Sequence, residues 1–309
     1  MITVVLGLSG GLLFGASDFI GGLASRITSP MKVTAYSALT GLVLLSAITA
    51  VTGGVWSADA IVFGALAGVA VGTALALLYA SLAIGPMSIL SPLTGMISAI
   101  VPMTAGLIRG ERLLPIGYVA LGLALVAVFL IGFSPEKTAT RPTLRGLATA
   151  TGAGVMFGVF LILIDLTPPE SGLIPLVFSR AANATIMGLA ILAVVVLGRA
   201  RNRIPARWQA GRADAIPPAL RLLRDKPGAS GWVVGARLAI ACGIIDTTAN
   251  TLQLLGLRSG DLSVMSVLNA MYPAGTIILA AIVMRERITR LQAVGLVLAL
   301  AAAGMFALS

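Results

Sequence analysis

The sequence predicts an all-α membrane protein of ten transmembrane helices arranged as two inverted five-helix repeats. Three observations carry that expectation. Of 309 residues, 58% are hydrophobic and 10% charged, and the mean hydropathy is +1.03; ordinary globular domains carry about 25% charged residues. The apolar residues fall in continuous runs of about 20, the length of a membrane-crossing helix, and do not alternate as barrel strands do. Motifs in the first half return in the second at a constant shift.

The spans lie at about 3–24, 33–53, 60–80, 87–108, 115–133, 144–164, 173–197, 232–256, 262–284 and 290–308. The first lacks a basic leader segment and is a full span long, so it is expected to remain as a membrane helix. Ser29-Pro30, Gly53-Gly54, Gly85-Pro86, Pro168-Pro169 and Gly260-Asp261 punctuate the links. Trp56 and Trp232 fall at span edges, where amphipathic rings settle; Trp208 lies in the long loop 198–231, which can rest on the membrane surface.

Basic residues orient the chain. Of 21 Lys and Arg, 16 fall in the loops after spans 1, 3, 5, 7 and 9, and eight of these are in 198–231. Arg109, Arg112 and Arg258 lie on the other side, and Arg180 and Arg237 fall inside spans. The positive-inside rule then places the odd-numbered loops in the cytoplasm and both termini outside, in a plasma (inner) membrane. The net charge of +10 is accounted for by orientation, without a nucleic-acid partner.

A shift of 175 pairs Gly85, Ser88, Ser91, Leu93 and Met96 with Gly260, Ser263, Ser266, Leu268 and Met271, and Glu111 with Glu286. A shift of 143 pairs Phe14-Gly15 with Phe157-Gly158. The difference is close to the excess length of loop 198–231. The chain therefore divides at 1–140 and 141–309, with that loop inserted in the second copy. Five is odd, so the copies cross the membrane in opposite senses. Inverted repeats characterise secondary transporters whose substrate site lies at mid-depth between the copies.

The polar residues inside spans are few enough to name. Asp246, Asn250 and Gln253 share a face of span 8, and a carboxylate at the hydrocarbon midplane costs at least about 2.5 kcal/mol, so its presence points to function. Arg180 in span 7 and Arg237 in span 8 are its candidate partners; Arg237, near the cytoplasmic end, is better placed to snorkel. Asp18 in span 1 is either a second protonatable group or a partner of Arg26. Ser88, Ser91, Gly95, Ser98 and Pro102 form a stripe on span 4. Ser263, Ser266, Asn269 and Pro273 form its counterpart on span 9, with Tyr272 adjacent. Such stripes either line a cavity or glue helices together. Pro102 and Pro273 kink their helices or free carbonyls for a ligand. Glu111 and Glu286 read as helix-end anchors.

No histidine and one cysteine, Cys242, remove His-based catalysis, disulfides and most metal sites. Asp18 and Asp246 are a pair of carboxylates, but without a nucleophile and base they make no enzyme. No cofactor is implied.

FGASDF in span 1, Ser-Arg near the start of span 7 and the duplicated Gly/Arg-Glu-Arg-Leu/Ile motifs after spans 4 and 9, with their order and duplication, resemble the EamA-type drug/metabolite transporter superfamily over nearly the whole chain apart from 198–231. The resemblance implies small-solute transport, commonly amino-acid or metabolite export, by alternating access. Two features depart from it. Members are often described with cytoplasmic termini, and Arg180 has Ala38 as its first-copy counterpart.

The expected function is thus a secondary active or facilitative carrier for a small polar, amino-acid-like metabolite. Asp246 would exchange a proton, Arg180 would attract an anionic group, and Asn250, Ser91, Ser98, Ser266, Asn269 and Tyr272 would bind the remainder. The alternative is an exporter of cationic or lipophilic drugs with Asp246 as charge partner. Lipid bilayer, substrate and protons are the expected partners of a monomer or homodimer.

Overall fold

The computed structural model describes residues 1–28, 30–84, 87–132, 143–200, 231–284 and 288–308. Within them the chain is helical apart from its links. The helices are α1 (Ile2–Ile27), α2 (Pro30–Thr52), α3 (Ala58–Ile84), α4 (Met87–Ile108), α5 (Pro115–Gly132), α6 (Leu144–Asp165), α7 (Ile174–Ala200), α8 (Gly231–Ser259), α9 (Leu262–Asn269), α10 (Tyr272–Val283) and α11 (Arg290–Leu308). Eight stretches are long and apolar enough to cross a membrane, and the apolar segments Pro92–Ile108 of α4 and Ile174–Leu189 of α7 complete ten spans. Most of loop 198–231 with Trp208, Glu286, and the side chains of Arg26, Ser88, Ser91 and Trp232 lie outside the described residues.

Span 9 differs from its expected form. It is two helices, α9 and α10, parted at Ala270-Met271. Pro273 sits in the first turn of α10, where a missing N–H costs nothing. In α4, by contrast, Pro92 and Pro102 lie within one continuous helix. The same residue type therefore breaks one span and leaves its repeat partner whole.

Packing follows a two-fold pattern. Helix α1 lies on α8 as α6 lies on α3; α1 meets α9 and α10 as α6 meets α4; α2 meets α8 as α7 meets α3. The pairs α2–α7, α4–α9 and α5–α11 close across the axis. Small residues hold this register. A Cβ added to Gly15 would fall 2.2 Å from the Tyr272 carbonyl oxygen, and one added to Gly158, its repeat partner, 2.9 Å from Cδ of Pro102. Likewise Gly68 lies against the Ser179 carbonyl and Gly243, 175 residues on, against that of Ser37. Without hydrophobic drive between helices in lipid, close backbone approach of this kind supplies the packing energy.

The apolar core follows the same plan. Ala120, Ala124 and Ile131 of α5 are fully buried, close to Leu268 of α9 and Ala302 of α11. A second cluster joins Leu45, Ala67, Ala70, Leu161 and Leu254.

Polar ties close one end of the bundle, the end bearing the termini and the links 52–58, 108–115, 165–174 and 259–262. Glu111 after α4 accepts from the Leu262 and Ser263 amides at the start of α9, at 2.8 and 3.0 Å. Arg258 donates to the Gly172 carbonyl at 2.7 Å, and Arg109 pairs with Asp165 at 2.9 Å. Glu111 is thus an anchor, but for a helix of the other repeat and not for its own.

Candidate functional site

Asp246 lies near the middle of α8, and its Oδ2 accepts from Nη2 of Arg180 on α7. Of the two intramembrane partners the sequence offers, the fold selects Arg180; Arg237 is exposed. The pair is half-hidden, its side chains 15% (Arg180) and 22% (Asp246) exposed. Gly41 of α2 makes room for it: a Cβ there would lie 2.7 Å from Thr247 Oγ1 and 3.5 Å from Nε of Arg180. Asn250 is buried and donates through Nδ2 to the Asp246 carbonyl at 2.7 Å. It therefore supports the helix turn beneath the carboxylate. Gln253, one turn on, is also buried.

Asp18 enters from α1. Around the helix it falls between Ser17 and Gly21, which lie against Cys242 of α8, and Gly11 and Gly15, which meet the Tyr272 backbone of α10, so it is on the inward side of α1. It is nevertheless exposed, so it faces an open space inside the bundle. Among the described residues no hydrogen bond or ion pair engages its carboxylate. Next to it, Ser17 and Ser37 converge on Cys242: the Ser17 hydroxyl lies 3.3 Å from Sγ and that of Ser37 3.8 Å. Cys242 packs between helices, as its apolar setting suggests.

The serine stripes divide. Ser98 is half-buried and Ser266 buried, and each hydroxyl returns its bond to its own helix, Ser98 to the Gly95 carbonyl and Ser266 to that of Ser263, both at 2.8 Å. Ser266 thus sits in the helix contact. Asn269 ends α9, and its Oδ1 is buried without a partner among the described residues. Tyr272 opens α10 with its backbone against Gly11 and Gly15 of α1, the latter one turn before Asp18.

Two further residues belong to this region. Asn183 and Thr247 are 6% and 1% exposed, and among the described residues Asn183 Oδ1 and Thr247 Oγ1 have no hydrogen-bond partner. Each faces a glycine of the first repeat, Asn183 Oδ1 lying 3.9 Å from a Cβ built on Gly72 and Thr247 against Gly41. The two contacts are mates under the two-fold pattern. A shift of 142 between α2 and α7, the one that makes the Gly68–Ser179 and Gly243–Ser37 contacts mates, pairs Arg180 with Ala38 and Asn183 with Gly41; the shifts of 175 and 143 pair Asp246 with Val71, Thr247 with Gly72, Tyr272 with Ile97 and Asp18 with Leu161. Each of these six has a small or apolar mate, and Leu161 and Val71 lie in the second apolar cluster. One side of the axis is packed core; the other gathers Asp18, Arg180, Asp246, Thr247 and Tyr272, while Asn183 turns toward Gly72 of α3.

A separate pocket of about 350 Å³ opens between α2 and α7 at the closed end, where the Trp56 ring meets Phe178 edge-on at 6.0 Å. It contains no charged side chain and none of the residues above.

The model of the EamA-like transporter family matches residues 144–308, more than half of the chain. The chain belongs to the EamA-like transporter family. It is a multi-pass membrane protein of a transporter family, and this EamA-like chain shares its fold with a solved structure described simply as "Crystal structure of protein". The two superpose with a TM-score of 0.71 at 15% identity, over 99% of this chain and 96% of the other. No curated protein matches the sequence.

Proposed function

We propose that this EamA-like protein carries a small polar solute across the bilayer by alternating access, with the chamber between α1, α2, α7, α8 and α10 as its substrate site. The observation that carries the reading is the one-sided polarity: five polar residues gathered together whose repeat mates are small or apolar, at a depth where each polar group is costly. A merely structural role would not require the polar groups to gather on one side of a two-fold axis.

In this reading the two copies are 1–140 and 141–309, and they rock against one another about the chamber. The basic loops face the cytoplasm and the termini lie outside. The polar ties of Glu111 and Arg258 then close the extracytoplasmic end, so the solute enters this conformation from the cytoplasm, as an exporter requires. The Arg180–Asp246 pair is the element to be rearranged: protonation of Asp246 would release Arg180, and solute would leave as the pair changes partners. Coupling to protons, export, and action as a monomer or homodimer belong to this proposal.

The test is counterflow of labelled solute in proteoliposomes, followed by flux under an imposed pH gradient. Wild-type protein should accumulate label, and D246N should lose the pH-driven component. Unchanged pH coupling in D246N removes Asp246 from the mechanism, and absence of counterflow for every solute class tried removes the transport reading.

The pairing of Arg180 with Asp246 also favours the second reading, a carrier of cationic compounds, because it leaves Arg180 neutralised and, among the described residues, Asp18 without a counter-charge.

A further inference from the structure

Resting on the transport reading, we propose that the solute is an organic amine in its protonated form, and that its ammonium group docks between the Asp18 carboxylate and the Tyr272 ring.

The charges decide the class of ligand. Around this space stand Asp18 from α1, Arg180 from α7, Asp246 from α8 and Tyr272 from α10, with Cys242 of α8 packed behind Ser17 and Ser37, and with Gly41 from α2 beside the ion pair. Among the described residues Arg180 and Asp246 neutralise each other, and the carboxylate left over is Asp18. An anion entering the chamber would have to take Arg180 from Asp246 and leave that carboxylate unpaired in an apolar setting, the costly half of breaking such a pair. A cation meets no such exchange.

The neutral groups agree with the charges. Among the described residues Thr247 Oγ1, on a residue 1% exposed, lacks a partner. A hydroxyl can accept, so it suits an N–H donor from a ligand. Thr247 borders the ion pair directly across Gly41. Tyr272, whose backbone lies against Gly15 one turn before Asp18, brings an aromatic ring to the neighbourhood of a carboxylate, and ammonium groups are attracted by charge and by the ring quadrupole together. The first repeat offers Leu161 and Ile97 at the mates of Asp18 and Tyr272, so a single cation site is built, not two.

The experiment compares isosteres on the purified full-length protein. Primary to quaternary ammonium compounds bearing a phenyl group, phenethylammonium among them, are each matched with the uncharged alcohol and the carboxylate of the same shape, and phenylalanine represents the zwitterion. The readout is the shift in unfolding midpoint with ligand concentration. Ammonium compounds should bind wild-type protein at least about tenfold more tightly than their alcohols and carboxylates. D18N should lose that preference while D18E keeps part of it, and Y272F should retain what Y272L loses.

A series in which no ammonium compound outbinds its isosteres overturns the inference, and this comparison needs no variant. Tighter binding of phenylalanine than of phenethylammonium also overturns it, by assigning Arg180 to a carboxylate. Undiminished ammonium preference in a folded D18N does so as well. Charge-selective binding without counterflow of the labelled amine would sink the transport reading and leave this site standing. Counterflow of the carboxylate isosteres would do the reverse.

Discussion

At the scale of single residues, the ion pair and Asp18 behave differently because one charge is matched and the other is not. Removing one member of a buried pair costs about 3–5 kcal/mol, largely through the partner left behind; with 15% and 22% of the side chains exposed, the lower end applies. R180Q and D246N should each lower the unfolding midpoint in detergent, and the double variant should be less destabilised than the two together. Simple additivity would mean that the pair is not formed in solution. Asp261, in the link between α8 and α9, carries a different charge problem. Burial and the neighbouring Glu111 raise its carboxyl above the ordinary 3.8, so ionisation there works against the fold, and the side chain makes no capping bond in return. D261N should therefore raise the midpoint at neutral pH. The gain should shrink as pH falls toward 3.8 and the native acid takes up its proton; a gain independent of pH would assign the effect to something other than charge. Asp246 and Arg180 were legible in the sequence as intramembrane charges. Their pairing was not, because the residues lie on different helices. Asn183 and Thr247 carried a signal, each standing opposite a glycine in the repeat alignment, but only their burial without partners among the described residues gives that asymmetry a meaning.

Helices and their ends are where close approach and capping act. Gly15 lies against the backbone of α10, and a methyl group there would meet a carbonyl oxygen that cannot move by itself. Overpacking costs about 1–3 kcal/mol, so G15A should lower the midpoint, whereas G22A, which meets nothing within 4 Å, should leave it nearly unchanged. Equal effects would show that α1 and α10 are not in this contact. Glu111 is the more functional end. Its two charge-assisted bonds to the free amides of α9 are worth more than neutral ones. E111Q should loosen the closed end. In a C242S background, S266C should then label faster with a membrane-impermeant thiol reagent added at that end than it does with Glu111 present. An unchanged rate would show that Glu111 does not hold the end shut. Span limits were readable to within a few residues from hydropathy alone. The break at Ala270-Met271 was not, since Pro102 and Pro273 are alike in type and differ only in what surrounds them.

For the whole molecule, the prediction concerns orientation. The basic loops are expected on the cytoplasmic side, so alkaline phosphatase fused after residue 309 should be active, and the same enzyme placed within 201–230 inactive. The opposite pattern would reverse the direction assigned to the cycle and leave the chamber as it is. Ten spans in two inverted copies were determined by the sequence itself: an apolar run of membrane length has no other stable state in lipid, and a five-span motif repeated once must cross in the opposite sense. Which residues the chamber holds was decided by tertiary structure. Periodicity places Ser266 and Asp246 equally on a helix face. Only the packing of one helix on another turns the first into a buried, self-bonded hydroxyl, pairs the second with Arg180, and leaves Asp18 facing open space.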